Sequence, residues 1–191
     1  MQRLLRLLIA TFYLVAVTPG LPHAEAGVYL TPGEALNRVF PGAERIRTVV
    51  LRLNPEQRKR IEKHARARVS FTRMDVHIGI FEGKPIGYAM VHDVKGKSRP
   101  ITFMVLITPR GRVRQVEVLA YRESHGGEIR YPSFLRQFVG KSLLDPIRNR
   151  RDIRNISGAT ISCRAISDGV RTLLSLWEEF YGKEERHESD E

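Results

Sequence analysis

Between Val69 and Ala120 the chain takes on a period of two, and nothing else in it restricts the fold as tightly. Val76, Ile78 and Ile80 alternate, and Glu82-Gly83-Lys84-Pro85 then reads as a turn before residues 86–94. Lys95-Gly96-Lys97 punctuates again, and residues 101–108 form a mostly apolar run suited to a central strand. Pro109-Arg110-Gly111 turns the chain into residues 113–120, where Val116, Val118 and Ala120 share a face. Turn signals at roughly 8–12-residue spacing predict an antiparallel sheet of about four or more strands.

Helical grammar flanks this stretch. Thr31-Pro32-Gly33-Glu34 is a capping box with proline at the first helical position, and Pro41-Gly42 ends the short helix it opens. Asn54-Pro55-Glu56-Gln57 repeats the pattern and predicts a largely solvated helix to about Ala67. Phe134, Leu135, Phe138 and Val139 are expected along one side of a short helix closed by Gly140. A last helix, from about Ile161 to Tyr181, places Ile166, Val170, Leu173, Leu174, Trp177 and Tyr181 at helical spacing, an apolar stripe to pack on the sheet. Gly169 inside it costs about 1 kcal/mol against alanine and suits a close approach to the strands. The predicted class is α+β: one domain, residues 27–182, its antiparallel sheet packed by amino- and carboxy-terminal helices.

The first 26 residues have the layout of a secretory signal peptide. Arg3 and Arg6 precede an apolar run over about residues 7–17, and Ala24-Glu25-Ala26 is a small-x-small cleavage signal before Gly27. The run is too short for the roughly 20 residues that a membrane-spanning helix needs. An uncleaved amphipathic anchor or a buried first helix is the alternative. The expected location is therefore periplasmic or otherwise extracytoplasmic.

The formal charge of +11 suggests nucleic acid at first sight, and export argues against that partner. Removing residues 1–26 leaves +10, and the tail 183–191 carries a local −3 without an apolar residue, so it reads as a solvated acidic extension. The body then holds about +13. Such a charge suits anionic lipid, an acidic protein partner or a phosphate-bearing cofactor, or simply solubility. One cysteine, Cys163, excludes an intrachain disulfide and any multi-cysteine metal or cluster site.

The segment most suggestive of chemistry is Asn155-Ile156-Ser157-Gly158-Ala159-Thr160-Ile161-Ser162, where a loop feeds the last helix. Gly158 and Ala159 let a bulky group approach the backbone and the Thr160 hydroxyl. Thr160 falls at or near a helix start, whose free N–H groups and positive dipole end favour a phosphate. An ordinary capped helix start has the same appearance.

Residues 157–162, Ser-Gly-Ala-Thr-Ile-Ser, following a stranded domain and an export signal, resemble the FMN-binding domain family. That family includes the flavin-carrying subunits of bacterial Rnf and sodium-pumping quinone reductase complexes. The similarity spans about residues 29–181: residues 87–94, 101–108 and 111–113 look like the family's sheet, and Tyr121-Arg122-Glu123-Ser124-His125-Gly126-Gly127 resembles its element near the flavin. Residues 131–141 match the following helix with its Gln-Phe-x-Gly-Lys close. The resemblance implies FMN joined by a phosphoester to Thr160 through a dedicated flavin transferase. It also implies Ser157, Gly158, Ala159, Ser162, Glu123, Ser124 and Gly126 around the cofactor. The family usually has Asp six residues before the acceptor threonine; Arg154 stands there, and the nearest acid is Asp152. That departure leaves open a non-covalent FMN site, or an Arg154 that contacts the phosphate.

Other candidates carry simpler readings. Glu123 and His125 could form an acid/base pair or bind metal, but no further ligand sits at a suitable spacing, and proximity to flavin is preferred. Cys163 is expected to pack, and His77 to lie at the surface. Arg148-Asn149-Arg150-Arg151 is a basic loop, by default solvated, otherwise a docking patch. No catalytic residue and no metal ligand is assigned. The resulting expectation is an exported flavoprotein that relays electrons at the outer face of the membrane, with a membrane redox complex as partner. A non-redox exported module for an anionic ligand or membrane complex is the alternative, and a small flavin-dependent reductase is a third. No nicotinamide motif supports the last.

Overall fold

Six strands hydrogen-bond into one antiparallel sheet in the computed structural model, which describes residues 27–182. The expected leader, 1–26, and the acidic tail, 183–191, lie outside the described residues. Strands β2 (Arg45–Arg52), β3 (Arg73–Phe81), β4 (Lys84–Lys95), β5 (Pro100–Ile107) and β6 (Val113–Tyr121) run as a meander, and β1 (Gly27–Val28) pairs with the far side of β6. The order is β1-β6-β5-β4-β3-β2. The apolar run expected at the centre is β5, buried on both faces.

The sheet has one heavily covered face. Val76 and Ile78 of β3, Phe103 and Val105 of β5, and Val116 and Val118 of β6 meet the stripe of α4 (Thr160–Phe180), whose Ile166, Val170, Leu173, Leu174 and Trp177 are buried. Gly169 makes this contact possible. A Cβ there would lie 2.6 Å from Phe103 Cζ and 2.9 Å from Val94 Cγ1. On the opposite face α1 (Pro32–Val39) presses Ala35, Val39 and Phe40 onto Ala89, Met104, Leu106 and Leu119.

Both capping boxes form. Glu34 N–H donates to Thr31 Oγ1 at 3.3 Å and Thr31 N–H to the Glu34 carboxylate at 2.8 Å. Asn54 and Gln57 exchange the equivalent bonds at 3.0 and 2.8 Å to open α2 (Pro55–Ala65). This helix ends at Ala65, two residues before the expected end, and Arg66 follows it in the left-handed region (φ 53°). Most of the helix is exposed, Ile61 and Ala65 are its buried residues, and Arg60 ties it to Glu179 of α4 at 2.6 Å.

Four expectations are corrected. Ala120 does not share the face of Val116 and Val118, because a bulge pairs it with Thr102 while Val118 pairs with Phe103. β2 lies outside the stranded stretch that the sequence marks: it is an edge, and Ile46 and Val50 are exposed, so no apolar-in, polar-out alternation signals it. The helix expected through Val139 breaks into α3 (Pro132–Leu135) and a 3-10 turn at Arg136–Phe138. Val139 itself is half exposed, because the chain leaves the helical path before reaching it. Gly140, at φ 81°, does close the segment.

Candidate functional site

The loop before α4 is organised by a carboxylate. Asp152 accepts the backbone N–H groups of Ile147 (3.0 Å) and Arg148 (2.7 Å) and the Lys141 ammonium (2.9 Å). Burial alone would raise this carboxyl; the donors outweigh it and hold it below the usual aspartate range. Asp152 therefore serves the loop and is not free to face a cofactor. Arg154 donates its backbone N–H to Gln137 Oε1 at 2.7 Å, and its side chain is exposed and does not line the cleft described next.

Gly158 adopts φ 79°, with nothing within 4 Å of where a Cβ would sit, and delivers the chain into α4. Ala159 occupies the N-cap position, and no side chain caps the first turn. Thr160 is the first helical residue, and Asn155 Nδ2 donates to its Oγ1 at 2.9 Å. Asn155 Oδ1 in turn accepts from Asn149 Nδ2 at 3.0 Å. The threonine hydroxyl is thus oriented by a two-asparagine relay, while the helix start keeps N–H groups and a positive dipole end for an anion.

This helix start forms one wall of a cleft of about 550 Å3. The other wall is the end of β6 with residues 123–125, and a rim comes from the turn after β4, where Lys97 and Ser98 lie. Of the residues expected around a cofactor, Gly158, Ala159, Thr160, Ser162, Glu123 and Ser124 line the cleft together. Ser157 is exposed and does not line it. Gly126 lies behind the wall: at φ 83°, a Cβ there would be 2.7 Å from Ala159 Cβ and 2.9 Å from the Tyr121 hydroxyl oxygen. Its part is to let the strand end and the helix start meet.

Glu123 is buried, and Ser98 N–H (2.7 Å) and Arg99 N–H (3.0 Å) both donate to its Oε1. Burial would raise its carboxyl, but the backbone donors at Ser98, Arg99 and Lys97 prevail and keep it ionised. A Cβ on Gly96 would lie 2.6 Å from that same oxygen, so the turn closes on Glu123 because residue 96 is glycine. Glu123 is therefore the anchor of the Lys97–Ser98 rim and not the acid of an acid/base pair. His125 Nδ1 pairs with Ser124 Oγ at 2.9 Å. No group of three or more metal-ligating side chains occurs among the described residues.

Tyr121 donates its hydroxyl to His125 O and lies 3.3 Å from Ser162 Oγ, tying β6 to α4 under the cleft. Cys163, one residue further, is fully buried, and burial pushes its thiol up, so it packs and is not a thiolate. His77 is half-buried, contacts Thr48 Oγ1 at 2.9 Å through Nδ1, and points away from the main core, in keeping with its phase on β3. Lys97, Ser98 and Ile161 are lining residues absent from the expected set, and Tyr121 and His125, from the element expected near the flavin, line the cleft as well. The lysine-glycine-lysine turn is the available signal for the first two, but its contact is with Glu123, far along the chain.

Residues 96–175 match the model of the FMN-binding domain, which assigns FMN as the cofactor. A subunit of the proton-translocating ferredoxin:NAD(+) oxidoreductase complex of Clostridium ljungdahlii is 27% identical over 106 residues, 52% of this chain and 57% of that protein. The chain thus spans little more than half of that relative's length. NqrC of Shewanella oneidensis superposes with a TM-score of 0.55 at 17% identity, covering 80% of this chain and 89% of that one. A subunit of the Na(+)-translocating NADH-quinone reductase from Parabacteroides distasonis gives 0.52 at 16%, covering 82% and 87%. At these identities the two structures establish a shared α+β fold.

The residues present suit FMN. The cleft is within the usual range of small-molecule sites, roughly 300–1,000 Å3. Its helix start offers uncapped N–H groups, and Gly158 leaves open space where a side chain would intrude.

Proposed function

From the premise that residues 96–175 are an FMN-binding domain, we propose that the chain holds one FMN in the cleft at the start of α4, joined by a phosphoester to Thr160. The observation that carries the covalent reading is the placement of Thr160: first residue of a 21-residue helix, at the cleft wall, its Oγ1 held by Asn155. The first-turn N–H groups and the helix dipole would stabilise the diester's negative charge, and Lys97 on the rim adds a cation. Glu123 fixes that rim through two backbone bonds, and Tyr121 with Ser162 fixes the floor. Bound FMN supplies reversible one- and two-electron transfer, and a tether through phosphate leaves the ring to be tuned by packing and hydrogen bonds.

On this reading the protein is an electron carrier that works with a membrane redox complex and is matured by a flavin transferase. The relatives named above support the partner: they are subunits of proton- and Na(+)-translocating oxidoreductases. An extracytoplasmic location rests on the sequence of residues 1–26. The engagement of Gly27 and Val28 with Tyr121 and Ala120 favours a mature chain that begins with β1. No helix of the described residues is long and apolar enough to cross a membrane.

The test is the intact mass of the chain coexpressed with a flavin transferase, beside Thr160→Ala. One FMN added less one water, and lost entirely in the variant, is the expected result. A yellow but unmodified wild-type protein would overturn the tether and keep the cofactor. A colourless one would remove the flavoprotein reading.

A further inference from the structure

A second cavity lies near the other end of α4, about 25 Å from Thr160 by helical rise. Its volume is about 1180 Å3. Lys63 and Arg66 come from the end of α2, Lys84 from the start of β4, and Arg110 from the β5–β6 turn. All four are exposed. Arg112 and Arg171 also line it, but their guanidinium groups already serve backbone carbonyls. Glu178 is the single acidic side chain in the wall. Trp177 forms an apolar part of that wall, 5% exposed, and its Nε1–H is buried without a hydrogen-bond partner.

A concave basic site of this kind attracts a polyanion, and a flat membrane surface fits a concavity poorly. The sequence supplies a polyanion at its edge. Gly182 lines the cleft, and the next nine residues, 183–191, contain five acidic and two basic side chains. Fully extended, nine residues reach about 30 Å, so the segment can return across the cavity from its own attachment point. Tethering of this length gives an effective concentration in the millimolar range, enough for a weak electrostatic contact to be occupied most of the time.

We propose that this cleft is a binding site for acidic peptide and that its resident occupant is the chain's own segment 183–191. Glu184, Glu185, Glu188, Asp190 and Glu191 supply the charge that Lys63, Arg66, Lys84 and Arg110 receive. The contact screens a concentrated part of the body's positive charge. A more acidic partner segment would have to displace it. The proposal does not depend on the flavin and can be tested on the apoprotein.

The experiment uses a fluorescein-labelled peptide of residues 183–191, titrated against the full chain by anisotropy. The second protein is the full chain carrying Glu184→Gln, Glu185→Gln, Glu188→Gln, Asp190→Asn and Glu191→Gln. Binding to this neutralised chain should be about ten-fold tighter than to the wild type, whose tethered segment competes, and should vanish at about 0.5 M salt. Adding Lys84→Glu and Arg110→Glu to the neutralised chain should abolish it. Adding Arg45→Glu and Arg47→Glu, on the exposed edge strand β2, should leave most of it. Equal binding to wild-type and neutralised chains, or binding that survives the Lys84/Arg110 change, overturns the proposal. So does binding of phosphatidylglycerol vesicles that needs Lys84 and Arg110 and is the same with either tail, since the occupant would then be a membrane.

Discussion

At Thr160, α4 begins behind an alanine N-cap, with no side chain closing its first turn. Three turns later the same helix directs Arg171, 5% exposed, into a set of carbonyl oxygens: His64 O (2.7 Å), Ala65 O (3.1 Å), Asp145 O (2.8 Å) and Pro146 O (2.7 Å). The first region leaves polar groups for something that is not protein. The second satisfies the end of α2 and a loop crossing with a single guanidinium, whose planar set of donors fits several acceptors at once. The difference separates what the fold needs from what the proposed phosphoester would need. A helix start is normally capped at a gain of about 1 kcal/mol. Here that gain is absent, at the helix start where the proposed phosphoester would sit.

Arg171→Met is the most severe way to break this contrast. Methionine fills much of the same space, but four carbonyls lose their donor, and each unsatisfied buried acceptor costs about 1–3 kcal/mol before the structure relaxes. The expected loss is roughly 3 kcal/mol or more, read as a lower urea midpoint at unchanged m-value. A loss below about 1 kcal/mol would show that water replaces the guanidinium and that this region is not the more firmly built of the two.

Asp152→Asn acts between the regions, on the loop that leads into the site. It keeps the side-chain volume and one acceptor but removes the charge that receives Lys141 and two backbone donors. The expected cost near neutral pH is about 1–2 kcal/mol. The sign of the pH effect follows from the depressed folded-state pKa. The wild-type carboxylate contributes its full stabilisation above its unfolded pKa, about 3.9, and loses it as pH falls through the lower folded value. The gap between wild type and variant should therefore close with acidification below about pH 4. A gap of constant size from pH 7 to pH 3 would mean the charge contributes nothing and only the acceptor geometry matters.

These regions are not equally legible in the sequence. The stranded run, both capping boxes, the close approach at Gly169 and the helix start at Thr160 follow from local chemistry: periodicity, side-chain reach over three residues, and the absence of a Cβ. Arg171 has no local mark, because an arginine on a helix normally reads as solvated, and its partners lie on α2 and in the loop before α4. The edge strand β2 is hidden for a related reason, since both of its faces are largely wet and its arginines interrupt the apolar pattern. In the cleft, Glu123 is recognisable as a site residue, but its task is not. Its partners are backbone N–H groups on another turn, which no side-chain motif reports.

The gentlest variants address the acceptor hydroxyl alone. Asn155→Ala removes one partly buried hydrogen bond to Thr160 Oγ1 and leaves Asn149 Nδ2 with only Thr160 O, at 3.4 Å, for an expected cost of about 1 kcal/mol. Flavin attachment should slow by much more than that stability change implies, because the hydroxyl loses its orientation. Asn155→Asp separates orientation from proton removal. The asparagine donates to Oγ1, whereas a carboxylate in its place would accept the hydroxyl proton, which has to leave when the phosphoester forms. It would also place an acid one residue from Arg154, where the family usually has aspartate. Attachment at least as fast as in the wild type is the expected outcome, followed as mass gain over time with a flavin transferase. If Asp and Ala slow it equally, donation by Asn155 is what prepares Thr160, and the uncapped helix start needs that asparagine as much as the core needs Arg171.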